Sequence, residues 1–176
     1  MPEARLRRFM EDYSLNEKLA TQVVDSDYTG LFEELAREGH STTLLAVTLT
    51  EDLTRLRRDG VPVEGLTDEA LRDTFALVER GEATKESLPE VLSWLAENRG
   101  MKAAEALSVL GLGMMTADEL AELVDYVVEE KADLVAERGM RAMGPLMGVI
   151  MGQVRGRAKP QEVQRLLQSA LKARQG

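Results

Sequence analysis

Hydrophobic positions recur every three to four residues along most of the chain, the spacing of a buried stripe on an α-helix. The clearest stripe lies in STTLLAVTLTEDLTRLRRDG, residues 41–60, and consists of Leu45, Leu49, Leu53 and Leu56. Ser41 precedes this stripe as a helix N-cap and Gly60 follows it as a stop. No segment alternates apolar and polar residues as a strand does; VPV at 61–63 is short and contains proline. The pattern predicts an all-α fold.

Start and stop signals divide the rest of the chain into further helices. Ser14 followed by Glu17 is a capping-box pattern, which predicts a helix from there to about Asp25. DYTGLFEELAREG predicts the next helix, and the expected caps of later helices are Thr67, Thr84 and Thr116. The glycine-containing connector GLGMM interrupts the series at residues 111–115. We therefore predict two helical subdomains, residues 1–112 and 113–176.

Glycine recurs every four residues in MGPLMGVIMGQVRGRAKP, residues 143–160, at positions 144, 148, 152 and 156. Four helical residues advance 400°, so Gly144, Gly148 and Gly152 share one face. Because each helical glycine costs about 0.5–1 kcal/mol against alanine, we expect this face to pack closely against another helix. The same step in Met143, Met147 and Met151 predicts adaptable core packing. Pro145 suits the helix start, where no N–H bond is lost.

A membrane explanation of these glycines fails on length. The run without charged or strongly polar residues extends from Ala142 to Gly152, which is eleven residues. A helix needs about 20 residues to cross a bilayer. The N-terminal segment MPEARLRRFMEDY also lacks the apolar core of a signal peptide.

Charge is distributed unevenly along the chain, whose net charge is −9. Residues 1–137 hold 14 Lys/Arg and 30 Asp/Glu, whereas residues 138–176 hold eight Lys/Arg and a single acid, Glu162. This polarity indicates that the C-terminal segment meets an anionic partner, or that it docks on the acidic remainder of the chain. Charge alone leaves both alternatives open.

Catalytic and metal-binding residues are scarce. The chain has no cysteine and one histidine, His40, which lies at a predicted helix junction as a cap or surface residue rather than a base. Zinc would therefore need three carboxylates beside this histidine, an uncommon set. Neither a G-x-S-x-G nor a P-loop pattern is present. The sequence favours a non-catalytic chain.

The basic residues around Gly156 carry a sharper hypothesis. Arg155, Arg157 and Lys159 immediately precede the predicted last helix, whose N-terminus presents free N–H groups and a partial positive charge. Such a turn can bind phosphate; the alternative is a solvated basic loop. The candidate nucleic-acid-binding residues are Arg141, Arg155, Gly156, Arg157, Lys159, Arg165, Lys172 and Arg174.

These motifs together resemble a known family. The segment ERGMRAMGPLMGVIMGQVRGRAKPQEVQRLL, residues 137–167, is similar to the end of the B/E subunits of glutamyl-tRNA(Gln) amidotransferase, a module also found as the free-standing YqeY-like protein. YSLNEKLATQVVDSDYTGLFEELA and LTRLRRDGVPVEGLTDEALRDTFALVERGEATKESLPEVL resemble the preceding sections of those subunits. The resemblance covers about residues 3–172 and is strongest to the archaeal E subunit. One departure is Lys159, where relatives often have an Asp or Asn that caps the last helix.

The resemblance implies a role in tRNA recognition. Enzymes of this family phosphorylate the glutamate of Glu-tRNA(Gln) in an N-terminal cradle, which binds ATP and Mg²⁺, and amidate it with ammonia from a separate amidase subunit. This chain, which lacks the cradle, would be a C-terminal, cofactor-free, cytoplasmic fragment that holds the tRNA body. Its expected partners are tRNA(Gln) and the amidase (asparaginase-like) subunit. It is expected to bind neither DNA nor a membrane. The alternative is a free-standing YqeY-like interaction module whose basic tail docks on an acidic protein.

Overall fold

The computed structural model describes residues 2–175, and these residues form helices joined by turns, with no strand among them. The predicted all-α fold is confirmed. By its internal contacts the chain divides into two compact units, one ending at Leu112 and the other beginning at Gly113.

Unit 1 contains eight α-helices within its described residues. They are α1 Pro2–Tyr13, α2 Glu17–Val24, α3 Thr29–Arg37, α4 Thr42–Ala46, α5 Leu53–Arg58, α6 Asp68–Glu79, α7 Leu88–Glu97 and α8 Ala103–Leu110. The leucine stripe predicted over residues 41–60 is buried, as are Phe9 and Phe32. The Phe9 ring lies 5.3 Å from the Tyr13 ring and 5.9 Å from the Phe32 ring, so three aromatic side chains join α1 to α3.

The N-terminal region of unit 1 differs from the prediction in two respects. Helix α1 was not predicted, because its apolar residues are interspersed with arginines; Phe9 is nevertheless fully buried. Ser14 is not the cap of α2. Its φ of +54° places it in the left-handed region, and Asn16 Oδ1 accepts from the Leu19 N–H over 2.8 Å instead.

The helix predicted over residues 41–60 is not uniform. The Ser41 hydroxyl accepts from the Leu44 N–H as expected, but Val47–Asp52 between α4 and α5 forms a π-helical segment. Such a segment inserts one residue into an α-helix and is often found at functional sites. The Thr50 hydroxyl donates to the Ala46 carbonyl oxygen over 2.5 Å, whereas the buried Thr48 Oγ1 has no partner among the described residues.

Two other local predictions are corrected. The Thr67 and Thr116 hydroxyls cap their helices, but Thr84 makes no side-chain cap bond, because a short 3₁₀ turn, Lys85–Ser87, precedes α7. His40 is not a simple surface residue. Its side chain is 12% exposed, lies 3.9 Å from a carboxylate oxygen of Glu79 and meets the Phe75 ring edge-on.

Over residues 113–175, unit 2 contains four α-helices, α9 Ala117–Glu130, α10 Ala132–Arg138, α11 Met143–Val154 and α12 Pro160–Gln175. Its core includes Val124, Leu146, Ile150 and Leu167, all nearly inaccessible to solvent. Met143, Met147 and Met151 are partly buried against this core, which confirms the predicted methionine packing. Pro145 is the third residue of α11, so its missing N–H falls in the first turn, where no intrahelical bond is lost.

The predicted packing of the glycine face is wrong. Gly144, Gly148 and Gly152 do share one face of α11, but all three are exposed. A Cβ atom added at any of them would meet no neighbouring atom within 4 Å. The core-facing side of α11 is formed instead by Leu146, Ile150 and Val154, so the glycines point away from the core of unit 2.

Membrane-spanning helices and metal-binding clusters are both absent from the described chain. Residues 2–175 contain no helix that is both long and apolar enough to span a membrane. Within the same residues, His, Asp and Glu side chains form no group of three or more that could hold a metal ion.

Candidate nucleic-acid interface

The candidate residues lie on a helical hairpin formed by α11 and α12, which pack against each other. Helix α11 has 12 residues and α12 has 16, lengths of about 18 and 24 Å at 1.5 Å per residue. A short turn, residues 155–159, joins them. The sequence of this turn, RGRAK, places three of the predicted cations at one end of the hairpin.

The turn begins with two successive residues in the left-handed region. Arg155 has a φ of +51° and Gly156 a φ of +80°. Glycine adopts this conformation at no steric cost, but for arginine it costs about 1–2 kcal/mol. The pair ends α11 sharply and leaves the Arg155 side chain exposed, with no ion pair among the described residues.

Arg157 has a different environment from Arg155. Its Nε donates to the Gly113 carbonyl oxygen over 2.6 Å, and its own carbonyl oxygen accepts from the Met115 N–H over 2.8 Å. These two bonds attach the segment before α9 to the turn before α12. Arg157 is only partly exposed as a result, and it has a structural role that the sequence did not predict.

Lys159 stands directly before α12. Its carbonyl oxygen accepts from the N–H groups of Glu162 and Val163 over 3.0 and 3.1 Å. Its ammonium group has no acceptor lone pair and therefore cannot cap the Gln161 N–H, the first N–H of α12 because Pro160 has none. Lys159 also lines a small cavity of about 210 Å³ together with Arg157, Thr116 and Glu162, beside the starts of α9 and α12.

The cations of α12 do not share one face. Arg165 and Lys172 are seven residues apart and therefore lie on the same side of the helix. Arg174 is nine residues beyond Arg165, which places it on the opposite side, where it forms an ion pair with Glu129 of α9. Arg165 pairs with Glu162 over 2.7 Å. Of the α12 cations, only Lys172 makes no ion pair among the described residues.

Arg141 occupies the other end of the hairpin. It is exposed on a 3₁₀ turn, Gly139–Ala142, which precedes α11 and packs against α12. Helix α11 therefore has an arginine at each end, Arg141 and Arg155, separated by the exposed glycine face. No acidic residue occurs from Arg138 to Gln161. We call the surface of this acid-free segment, formed by α11 and the two turns that flank it, the basic face of unit 2; Glu162, just beyond the segment, lines the cavity beside Lys159.

Acidic residues occupy the other part of unit 2. Residues 113–137 hold eight Asp/Glu and one lysine, mostly on α9 and α10, whereas residues 138–176 hold eight Lys/Arg and one acid. Part of the charge polarity of the sequence therefore lies within unit 2, whereas 22 of the 30 acids of residues 1–137 lie in unit 1. The Arg174–Glu129 ion pair joins the two parts, in agreement with the alternative that the C-terminal segment docks on the acidic remainder of the chain, although the sequence did not indicate which residues pair over 45 positions.

These observations describe a chain that is helical over residues 2–175 and whose second unit carries its acidic and its basic residues in different segments. Comparison with known proteins shows its family. The family model described as the GatB domain (GatB_Yqey) matches residues 30–171. The chain belongs to this family.

Individual relatives extend the match over nearly the whole chain. The E subunit of glutamyl-tRNA(Gln) amidotransferase from Methanococcus maripaludis is 37% identical over 174 residues, which are 98% of this chain and 28% of the relative. The corresponding protein of Haloarcula marismortui is 42% identical over 97% of this chain and 27% of its own length. The E subunit from Halobacterium salinarum is 40% identical over 97% of this chain and 27% of its own length. The chain thus spans little more than a quarter of the length of these relatives.

Proposed function

We propose that this chain is a non-catalytic tRNA-binding part of a tRNA-dependent amidotransferase, which converts Glu-tRNA(Gln) to Gln-tRNA(Gln). The observation that carries the proposal is the basic face of unit 2, an exposed helical surface with an arginine at each end and no acid along it. The names of the relatives supply the substrate, since each is the E subunit of a glutamyl-tRNA(Gln) amidotransferase.

In this proposal the chain binds the body of tRNA(Gln) so that the acceptor end reaches a catalytic domain outside these 176 residues. ATP and Mg²⁺ would bind to that domain, and this chain would hold no cofactor. A separate amidase-like subunit would supply the ammonia. The assembly would act in the cytoplasm, where its tRNA substrate is charged.

Electrostatics supports an RNA backbone as the partner. Arg141, Arg155 and Lys159 are exposed, and none of them makes an ion pair among the described residues, so all three can pair with phosphate. Most protein contacts to a nucleic-acid backbone come from such cations and from backbone N–H groups. At the start of α12, next to Lys159, the Gln161 N–H is of this kind; Pro160 has no N–H, and the Glu162 and Val163 N–H groups already donate to the Lys159 carbonyl oxygen.

The bare glycine face adds a steric argument. Gly144, Gly148 and Gly152 provide no packing within the chain, although three helical glycines cost about 1.5–3 kcal/mol in total. A helix without side chains on one face lets another backbone approach closely. A ribose-phosphate strand lying between Arg141 and Arg155 would use that access.

The alternative is a protein-interaction module whose basic hairpin docks on an acidic partner. Two observations favour it. The acidic residues of α9 and α10 would repel RNA, and in the Arg174–Glu129 pair a cation of α12 already contacts an acid. The two functions predict different ligands for the basic face.

The proposal is tested by the double substitution Arg155→Gln with Lys159→Gln in the whole chain. Neither side chain makes a hydrogen bond or an ion pair among the described residues, so the fold should be unaffected. We expect tRNA affinity to fall about tenfold at low salt. The slope of log K against log salt should fall in magnitude by about 1.4–1.8, since each of the two phosphate contacts contributes about 0.7–0.9.

A matched control is Lys131→Gln, which removes an exposed lysine from the junction of α9 and α10 in the same unit. It should leave both affinity and slope unchanged. Equal tRNA binding by the double variant and the unaltered chain would refute the proposal. If the double variant instead loses binding to an acidic partner subunit while tRNA binding is intact, the protein-interaction alternative is correct.

A further inference from the structure

A second polar concavity lies in unit 1 and shares no residue with the basic face of unit 2. It is an open cleft of about 770 Å³ between α2, the following turn, the π-helical segment and α5. Sites for small ligands commonly measure about 300–1,000 Å³. The cleft therefore has room for a group the size of one nucleotide, and it is too small to admit a double helix.

The wall made by α5 concentrates positive charge in an otherwise acidic unit. Residues 1–112 hold 13 Lys/Arg against 22 Asp/Glu, yet α5 carries three arginines in six residues and no acid. Arg55 is paired with Asp52 over 3.2 Å, and Arg57 with Glu64 over 2.9 Å. Arg58, also at the cleft, is exposed and has no ion-pair partner among the described residues.

The opposite side of the cleft offers an aromatic ring and neutral polar groups, together with Lys18 and the carboxylates of Asp25 and Asp27. Tyr28 lines the cleft and is half-buried, because it also packs against the core of unit 1. Gln22 lies on α2 with its Oε1 atom 3.4 Å from the Thr50 hydroxyl, which is 7% exposed and belongs to the π-helical segment. The π-helical insertion thus places a fixed hydroxyl next to an amide at the base of the cleft.

This combination matches how proteins recognise unpaired RNA. Bases splayed out of a loop stack on aromatic rings or guanidinium planes, and their edges hydrogen-bond to polar side chains. We propose that the cleft receives one unpaired nucleotide of the tRNA, with the base against Tyr28 and Gln22 and a phosphate at Arg58. The inference rests on the proposed function, because that function supplies the RNA, but it concerns a different unit and different residues.

A blocking substitution tests the cleft sterically. Thr54 lines the cleft and is exposed on α5, so Thr54→Trp fills the space without disturbing the core. The control is Thr43→Trp, the same change at an exposed helical threonine of α4 outside the cleft. We expect Thr54→Trp to weaken binding of a tRNA transcript to the whole chain about fivefold or more, the loss of one stacked base. Thr43→Trp should bind as the unaltered chain does.

A charge substitution tests the phosphate contact. Arg58→Gln should weaken tRNA binding about three- to tenfold at low salt and reduce the magnitude of the salt slope by about one. Arg7→Gln removes an arginine of α1 that is also exposed and lies outside the cleft, and it should change neither quantity.

The outcomes separate this inference from the proposed function. Suppose that Thr54→Trp binds tRNA as the unaltered chain does, while the Arg155/Lys159 variant loses binding. That result refutes only the proposal that the cleft binds a nucleotide. Loss of binding in Thr54→Trp but not in the Arg155/Lys159 variant supports the cleft and refutes the basic face. If the unaltered chain binds no tRNA at any salt concentration, both proposals are wrong.

Discussion

The Nε atom of Arg157 donates a 2.6 Å hydrogen bond to the carbonyl oxygen of Gly113, which lies 44 residues earlier in the chain. This contact connects the beginning of unit 2 to the turn between its last two helices. It also gives different environments to Arg155 and Arg157, which are only two positions apart in the sequence. Arg155 is exposed and available to a ligand, whereas Arg157 is partly buried and holds the turn in place.

We therefore expect Arg157→Ala to destabilise unit 2, because the Gly113 carbonyl oxygen loses a charged donor. A hydrogen bond to a charged group contributes about 1.5–3 kcal/mol when buried, so about 1 kcal/mol is expected for this partly exposed pair. Arg155→Ala should have no such cost. Urea unfolding of the two variants measures the difference, and equal stabilities would contradict the role assigned to Arg157.

Gly148→Ala should stabilise the protein. The glycine is exposed in the middle of α11, its added Cβ would meet nothing within 4 Å, and alanine is favoured in a helix by about 0.5–1 kcal/mol. Gly139→Ala provides the contrast, because Gly139 has a φ of +56°, a conformation that is strained for alanine; the exposed Gln175 side-chain amide beside it can move aside. Thermal unfolding should show a higher midpoint for the first variant and a lower one for the second. A destabilised Gly148→Ala would mean that this face is packed after all.

Helix capping provides a matched pair of predictions. The Thr116 hydroxyl accepts from the Glu119 N–H over 3.1 Å, so Thr116→Ala should reduce the free energy of unfolding by about 1 kcal/mol. Thr84 precedes a helix in a similar sequence context but makes no cap bond. Thr84→Ala should therefore cost much less. Denaturant midpoints that fall equally for both variants would contradict the capping geometry.

Acid sensitivity is expected from the cluster that joins α1 to α3. Arg8 Nη1 and the Tyr13 hydroxyl each donate to Glu33 Oε1 over 2.7 Å. The Arg8 hydrogen bond, aided by Tyr13, holds the pKa of the Glu33 carboxyl below its usual value of 4.5. Because the folded pKa is the lower one, this group stabilises the fold above about pH 4.5 and loses that contribution as pH falls through the folded pKa.

Glu33→Gln should consequently show a smaller decrease in the free energy of unfolding between about pH 7 and pH 3 than the unaltered chain, measured in urea. Asp52 is the informative control, since burial raises the pKa of its carboxyl. A raised pKa makes protonation favour the folded state, so Asp52→Asn should increase the loss of stability in acid. Identical pH dependence in all three proteins would refute both assignments.

The helices of this protein could be predicted from the sequence because their signals are local. Leu45, Leu49 and Leu53 are spaced for one buried stripe, and Ser41 and Thr116 cap helices as their positions suggest. Exceptions arose where neighbouring residues competed. Asn16, and not Ser14, caps α2. The π-helical insertion at Val47–Asp52 could not be detected in the sequence, because it leaves the spacing of the leucine stripe unchanged.

The candidate site was predictable only in part. The basic turn and the charge polarity are properties of the sequence, and the family resemblance was confirmed by the GatB domain match over residues 30–171. The division of roles between Arg155 and Arg157 was not predictable, since a hydrogen bond across 44 residues leaves no periodic trace. Nor did any motif mark the cleft beside Arg58, because its walls come from segments separated along the chain.

The glycine series shows where the boundary between sequence and tertiary structure lies. Spacing alone determined that Gly144, Gly148 and Gly152 share one face, because the helix repeat fixes the angle between residues. It could not determine which way that face points, because the direction is decided by competition for the core. Leu146, Ile150 and Val154 bury more apolar surface than glycine can, so they turn inward and leave the glycines in solvent. The sequence thus determined the pattern of the hairpin, and only tertiary packing decided which of its surfaces remains open to a partner.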